Sequence, residues 1–109
     1  MTNYRRGADF ERAVKAHLEG HGYLVVRTAG SHGVMDLIAY PQNVEKGNRP
    51  WFVQCKTNGR MDPKERGDLW TAARRAGAIA VKASRPKRGA ILFERYFPLG
   101  NVSWGGIEP

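Results

Sequence analysis

Apolar residues recur every fourth position across residues 4–21, at Phe10, Val14 and Leu18, with the helix formers Ala13 and Ala16 between them, and Gly20 and Gly22 end the pattern. The spacing predicts an amphipathic first helix. The period then shortens to that of strands: residues 23–28 are apolar and β-branched, a glycine-bearing stretch at 29–33 interrupts them, and residues 34–40 form a second β-type run. The polar segment 41–50, with Asn43, Gly47 and Asn48, reads as an exposed connection to a third strand at 51–57. Asp62-Pro63-Lys64-Glu65 combines an acid at the cap, proline at the first helical position and Glu at the third, so a second helix is expected to begin at Pro63. Its apolar stripe is Leu69, Ala72, Ala73 and Ala76, and Gly77 stands where a left-handed C-terminal residue belongs. Residues 78–83 and 90–97 are two further strands, joined by the basic turn 84–89. The expected order is α-β-β-β-α-β-β, with 98–109 as a glycine-rich tail that either hangs loose or docks on a partner.

With 109 residues the chain is read as one domain with a core at about 4–97. An apolar fraction of 41% is that of a folding chain, not a basic disordered tail. Lys and Arg number 18 against 10 Asp and Glu, a formal net charge of +8, which favours a polyanionic partner such as nucleic acid through counterion release. One cysteine closes no intrachain disulfide and builds no structural zinc site. A reducing, cytoplasmic setting is expected. No apolar run approaches the roughly 20 residues of a membrane span, and no apolar signal core follows the basic N-terminus, so no membrane partner is expected.

Two acids stand in places that need a reason. Glu11 lies on or beside the stripe of Val14 and Leu18 that should face the sheet, where pairing with Lys15 is the plain alternative. Asp36 falls inside Val34-Met35-Asp36-Leu37-Ile38, although aspartate is a poor strand residue. In Trp51-Phe52-Val53-Gln54-Cys55-Lys56, period two puts Gln54 and Lys56 on the face of Phe52, and Trp51, Val53 and Cys55 on the other. A helix acid, a strand Asp and a Gln-x-Lys supply oxygen ligands and one ammonium. Such a set suits a hard divalent cation used in phosphodiester hydrolysis.

At these positions the chain resembles the PD-(D/E)xK nuclease superfamily, and within it the archaeal-type Holliday junction resolvases and their viral relatives. The likeness runs through Arg5-Arg6-Gly7-Ala8-Asp9-Phe10-Glu11-Arg12, then Val25 to Ser31 and Gly33 to Ala39, and Val53-Gln54-Cys55-Lys56-Thr57, over roughly residues 4–81. The resemblance implies a restriction-endonuclease-like α/β fold with a central mixed sheet flanked by helices. It also implies a homodimer making paired incisions in branched DNA with Mg²⁺ or Mn²⁺ and no small-molecule cofactor. Carried over by position, Glu11 and Asp36 would hold the metal with Gln54 and the Cys55 backbone carbonyl, Lys56 would orient the attacking water or steady the phosphate, and Ser31 would sit in a catalytic loop. Gln54 departs from the family's glutamate, which removes one formal negative charge from the metal site. Glu11, Asp36 and Lys56 argue for a working enzyme.

Arg5, Arg6, Arg27, His32, Arg60, Lys64 and Arg66 are the expected DNA contacts, each with a solvated basic surface as the plain alternative. His17 and His21 have a zinc-like spacing but lack a third ligand. Trp51, Phe93, Tyr96, Phe97 and Trp104 exceed what so small a core needs, so some are expected at a subunit interface or stacked on bases. The competing functions are a flap, mismatch or duplex endonuclease of the same fold and an architectural DNA-binding protein with a lost site.

Overall fold

The computed structural model describes residues 3–28, 33–42, 47–86, 89–99 and 102–109, with side chains of residues 3–6, 99, 102 and 103 left aside. The elements are α1 (Asn3–Gly20), β1 (Tyr23–Arg27), β2 (Leu37–Pro41), β3 (Trp51–Cys55), α2 (Pro63–Ala76), β4 (Ile79–Ser84), β5 (Leu92–Leu99) and β6 (Val102–Gly106). The six strands form one sheet in sequence order, antiparallel throughout except for the parallel pair β3–β4. A parallel pair needs a crossover, and α2 is that crossover. The mixed α/β architecture is the expected one.

The tail is the correction. Residues 102–106 are a sixth strand, paired with β5 through Tyr96–Trp104 and Arg95–Gly105, so the C-terminus is neither loose nor a tail. The glycines at 105 and 106 concealed the strand pattern. The aromatics follow suit: Trp51 and Phe93 are buried on the α1 side, where Tyr23 packs against Trp51, and Tyr96 is buried between Trp70 and Trp104. Only Phe97 of the five stands exposed. Two helices on two faces make two cores, which is why a small chain uses so many rings.

Each face has its own apolar cluster. Phe10, Val14 and Leu18 of α1 pack on Tyr23, Val25, Leu37, Ala39, Val53 and Val81. Leu69 and Ala73 of α2 pack on Ala78, Ala80 and Tyr96, with Phe52 and Met61 partly buried beside them. The division follows strand alternation: odd positions of β3 face α1, and Phe52 and Gln54 face α2. Complete burial of Leu18, Leu37 and Leu69 contributes roughly 1.5–3 kcal/mol each. The stripe of α2 is narrower than its spacing suggests, since Ala76 is exposed while Trp70 turns inward on Tyr96.

Both ends of α2 form as expected. The Asp62 carboxylate accepts the Glu65 N–H at 2.8 Å, and Gly77, at φ 67°, takes the left-handed conformation that lets its N–H reach the last turn. Asp36 lies one residue before β2 yet remains in register, its N–H donating to the Val53 carbonyl at 2.8 Å.

Candidate active site

The end of the sheet where β3 finishes and β2 begins opens into a cleft of about 420 Å³ lined by Glu11, Gly33, Val34, Asp36, Gln54, Cys55, Lys56, Glu65 and Asp68. Every residue expected to carry the chemistry that lies within the described residues is here. Glu11 arrives from α1, Asp36 from the start of β2, and Gln54, Cys55 and Lys56 from the end of β3.

Local bonds set each position. Thr28 Oγ1 donates to the Met35 carbonyl at 2.7 Å, which closes the neck of the segment between β1 and β2. A side chain at Gly33 would meet the Met35 carbonyl oxygen at 3.2 Å, so the close approach there favours glycine. Asp36 Oδ2 accepts the Cys55 N–H at 2.8 Å. Beyond Lys56 the chain turns through Gly59, at φ 76°, whose N–H donates to the Lys56 carbonyl at 2.7 Å. This turn carries the chain back so that the first turn of α2 overhangs β3.

The electrostatics bear on cation binding. Burial pushes the Asp36 carboxyl above its ordinary value, and the negative charge of Glu11 adds to the shift, while the Cys55 N–H and the Lys56 ammonium oppose it. Glu11 is also held by Arg27 at 3.1 Å, so the alternative partner Lys15 is not used; Lys15 pairs with Glu19. Burial likewise drives the Cys55 thiol far up, which leaves it a packing group against the α1 core.

Glu65 is the residue that the sequence reading missed. Its Oε2 lies 2.5 Å from Lys56 Nζ and accepts from Gln54 Nε2 at 3.4 Å. The sequence showed it only as a helix-start glutamate, and nothing in the spacing from Lys56 says that the intervening turn returns to the strand. Asp68, one helical turn on, also lines the cleft and pairs with Lys64 at 2.9 Å.

Gln54 is buried, 9% exposed, and among the described residues no donor reaches its Oε1. Leaving such an oxygen unbonded costs about 1–3 kcal/mol. Among the described residues no three His, Cys, Asp or Glu side chains cluster tightly enough to hold a metal by themselves. The amide oxygen and the backbone therefore have to complete any such shell. Two carboxylates in like-charge proximity beside an orphaned buried acceptor fit a hard, oxygen-seeking divalent cation.

The remaining expected contacts are dispersed. Ser31 and His32 lie outside the described residues, as do the side chains of Arg5 and Arg6. Arg27 is engaged with Glu11, and Arg66 lies over the Tyr96 ring, 5.5 Å from its centre. Arg60 is exposed in the turn after β3, its N–H held by Asn58 Oδ1 at 2.9 Å. His17 and His21 are exposed, their rings tilted against each other, with His17 stacked on Phe93.

The sequence profile described as archaeal Holliday junction resolvase (Hjc) matches residues 2–101. A 57-residue stretch, 52% of the chain, is 47% identical to the crossover junction endodeoxyribonuclease Hjc of Methanocaldococcus jannaschii, and spans only 38% of that relative's length. Among solved structures, the Archaeoglobus fulgidus Hjc, described as a Holliday junction resolvase, superposes with a TM-score of 0.66 at 27% identity, over 81% of this chain and 70% of the other.

Proposed function

Because the chain belongs to the archaeal Holliday junction resolvase (Hjc) family, we propose that it is an endonuclease that cuts four-way DNA junctions by cation-aided phosphodiester hydrolysis in the cleft of Glu11, Asp36, Gln54 and Lys56. The observation that carries this reading is the meeting, at one sheet end, of two carboxylates from different elements with an orphaned amide oxygen and an ammonium. Mg²⁺ or Mn²⁺ held by Glu11, Asp36, Gln54 Oε1 and the Cys55 carbonyl would supply Lewis-acid polarisation of a phosphoryl oxygen and a more acidic bound water.

The chain's own groups do the rest. Lys56, fixed by Glu65 on the cleft wall, offers a cation to the negative charge that grows on the phosphoryl oxygens or orients the attacking water. Asp36, locked to the Cys55 N–H, lies beside Glu11. Ser31 and His32, outside the described residues, keep only the phosphate-contact role that the family resemblance implies. The exposed Arg60 gives the DNA backbone a positive approach.

Paired incisions need two such sites. Leu24, Val26 and Tyr40 present apolar surface on the outer face of β1–β2, Leu24 directly opposite Tyr40 in the ladder. That patch supports a homodimer whose twofold axis matches the approximate symmetry of a junction. An end-labelled immobile junction and a linear duplex of the same sequence, each incubated with Mg²⁺, with Mn²⁺ and with EDTA, test the reading. Symmetric nicks in the junction alone, lost in EDTA, are expected; equal cutting of the duplex points to the broader endonuclease, and junction binding without cutting under either ion points to an architectural protein.

A further inference from the structure

Glu65 and the orphaned Gln54 oxygen are two ends of one arrangement. A carboxylate only accepts, so the amide nitrogen of Gln54 has to face Glu65, and Oε1 is turned the other way. The same Glu65 oxygen holds the Lys56 ammonium. One helix residue thus reaches both side chains that period two sends to the α2 face of β3, and it fixes the sense of the amide between them.

Polarisation adds a second reason. An amide that donates to a carboxylate becomes more negative at its oxygen. Resting on the cation-dependent reading above, we propose that Glu65 is a positioning residue that turns and polarises the Gln54 amide, presenting Oε1 to a divalent cation shared with Glu11 and Asp36. Gln54 and Glu65 together then do what a single strand carboxylate would do. The rival role is plain neutralisation of Lys56, in which Gln54 plays no part.

Binding of Mn²⁺ to the purified protein, followed by the paramagnetic resonance of the free ion, separates the two. Glu65→Gln, isosteric and on a partly exposed first turn, should weaken binding about tenfold. In a Gln54→Ala background the same substitution should have no further effect, because its influence passes through the amide. The exchange Gln54→Glu with Glu65→Gln should recover affinity to within about threefold of the parent, since a carboxylate at position 54 ligates in either orientation. An unweakened Glu65→Gln variant overturns the proposal. So does a full tenfold loss that persists in the Gln54→Ala background, or an exchange as weak as Glu65→Gln alone. Asp36→Asn is the control for the underlying reading: if it binds Mn²⁺ as well as the parent, the cation site itself is misplaced, whereas a weakened Asp36→Asn beside additive effects at 54 and 65 refutes Glu65 only.

Discussion

Asp36 accepts the backbone N–H of Cys55 through Oδ2 at 2.8 Å, a bond that ties the start of β2 to the end of β3 and aligns the acid with the Gln-x-Lys of the neighbouring strand. The fold bears a burden for this placement. Burial and the adjacent Glu11 hold the Asp36 carboxyl above its ordinary value, so ionising it costs more in the folded state than in the unfolded chain.

The sign of the consequence follows from linkage. A folded-state pKa above the unfolded one means that the stability associated with the neutral form is complete at acid pH and is lost as pH rises through the folded value. In EDTA, Asp36→Asn should therefore melt higher than the parent at neutral pH, and the difference should fade below about pH 4, where the carboxyl is neutral in both states. Added Mn²⁺ should raise the melting temperature of the parent and leave that of the variant unmoved. Scanning calorimetry across pH, with and without the ion, checks all three.

Arg27 and Glu11 form an ion pair from β1 to α1 at 3.1 Å. Arg27→Ala removes a competing cation from Glu11 and a positive charge from the DNA approach. Mn²⁺ affinity of the free protein should rise while junction affinity falls, and the slope of log K against log salt should decrease by about one. Titrations of metal and of labelled junction read the two effects separately; movement of both affinities in the same direction would contradict the shared position.

Trp104 of β6 lies over the Lys82 ammonium, 4.2 Å from the ring centre, and against Tyr96. Lys82 is 8% exposed and donates to the Gly59 carbonyl at 3.0 Å, so the C-terminal strand steadies the turn that follows Lys56. Trp104→Ala should cost about 1–3 kcal/mol in urea unfolding. It should also slow junction cutting, because the turn behind Lys56 loosens.

Much of this was legible in residue patterns. Both ends of α2 followed from Asp62, Pro63 and Gly77, whose backbone chemistry is local, and the faces of β3 followed from alternation alone. Glu11, Asp36, Gln54 and Lys56 could be grouped because their order resembled a family. Glu65 could not be grouped with them, since its role depends on how sharply the chain turns at Gly59, a tertiary matter. β6 was missed for a different reason: glycines at 105 and 106 carry no side-chain pattern, and the strand exists because β5 offers an edge and Tyr96 a ring to cover.

The most direct measurement is the single-turnover cleavage rate on an immobile four-way junction in Mg²⁺, taken beside the binding affinity for the same junction, for the parent, Asp36→Asn and Lys56→Ala. The account predicts a fall of at least about a hundredfold in rate for both variants, with junction affinity kept within about threefold. Cutting at the parental rate by either variant would contradict the assignment of this cleft as the hydrolytic centre.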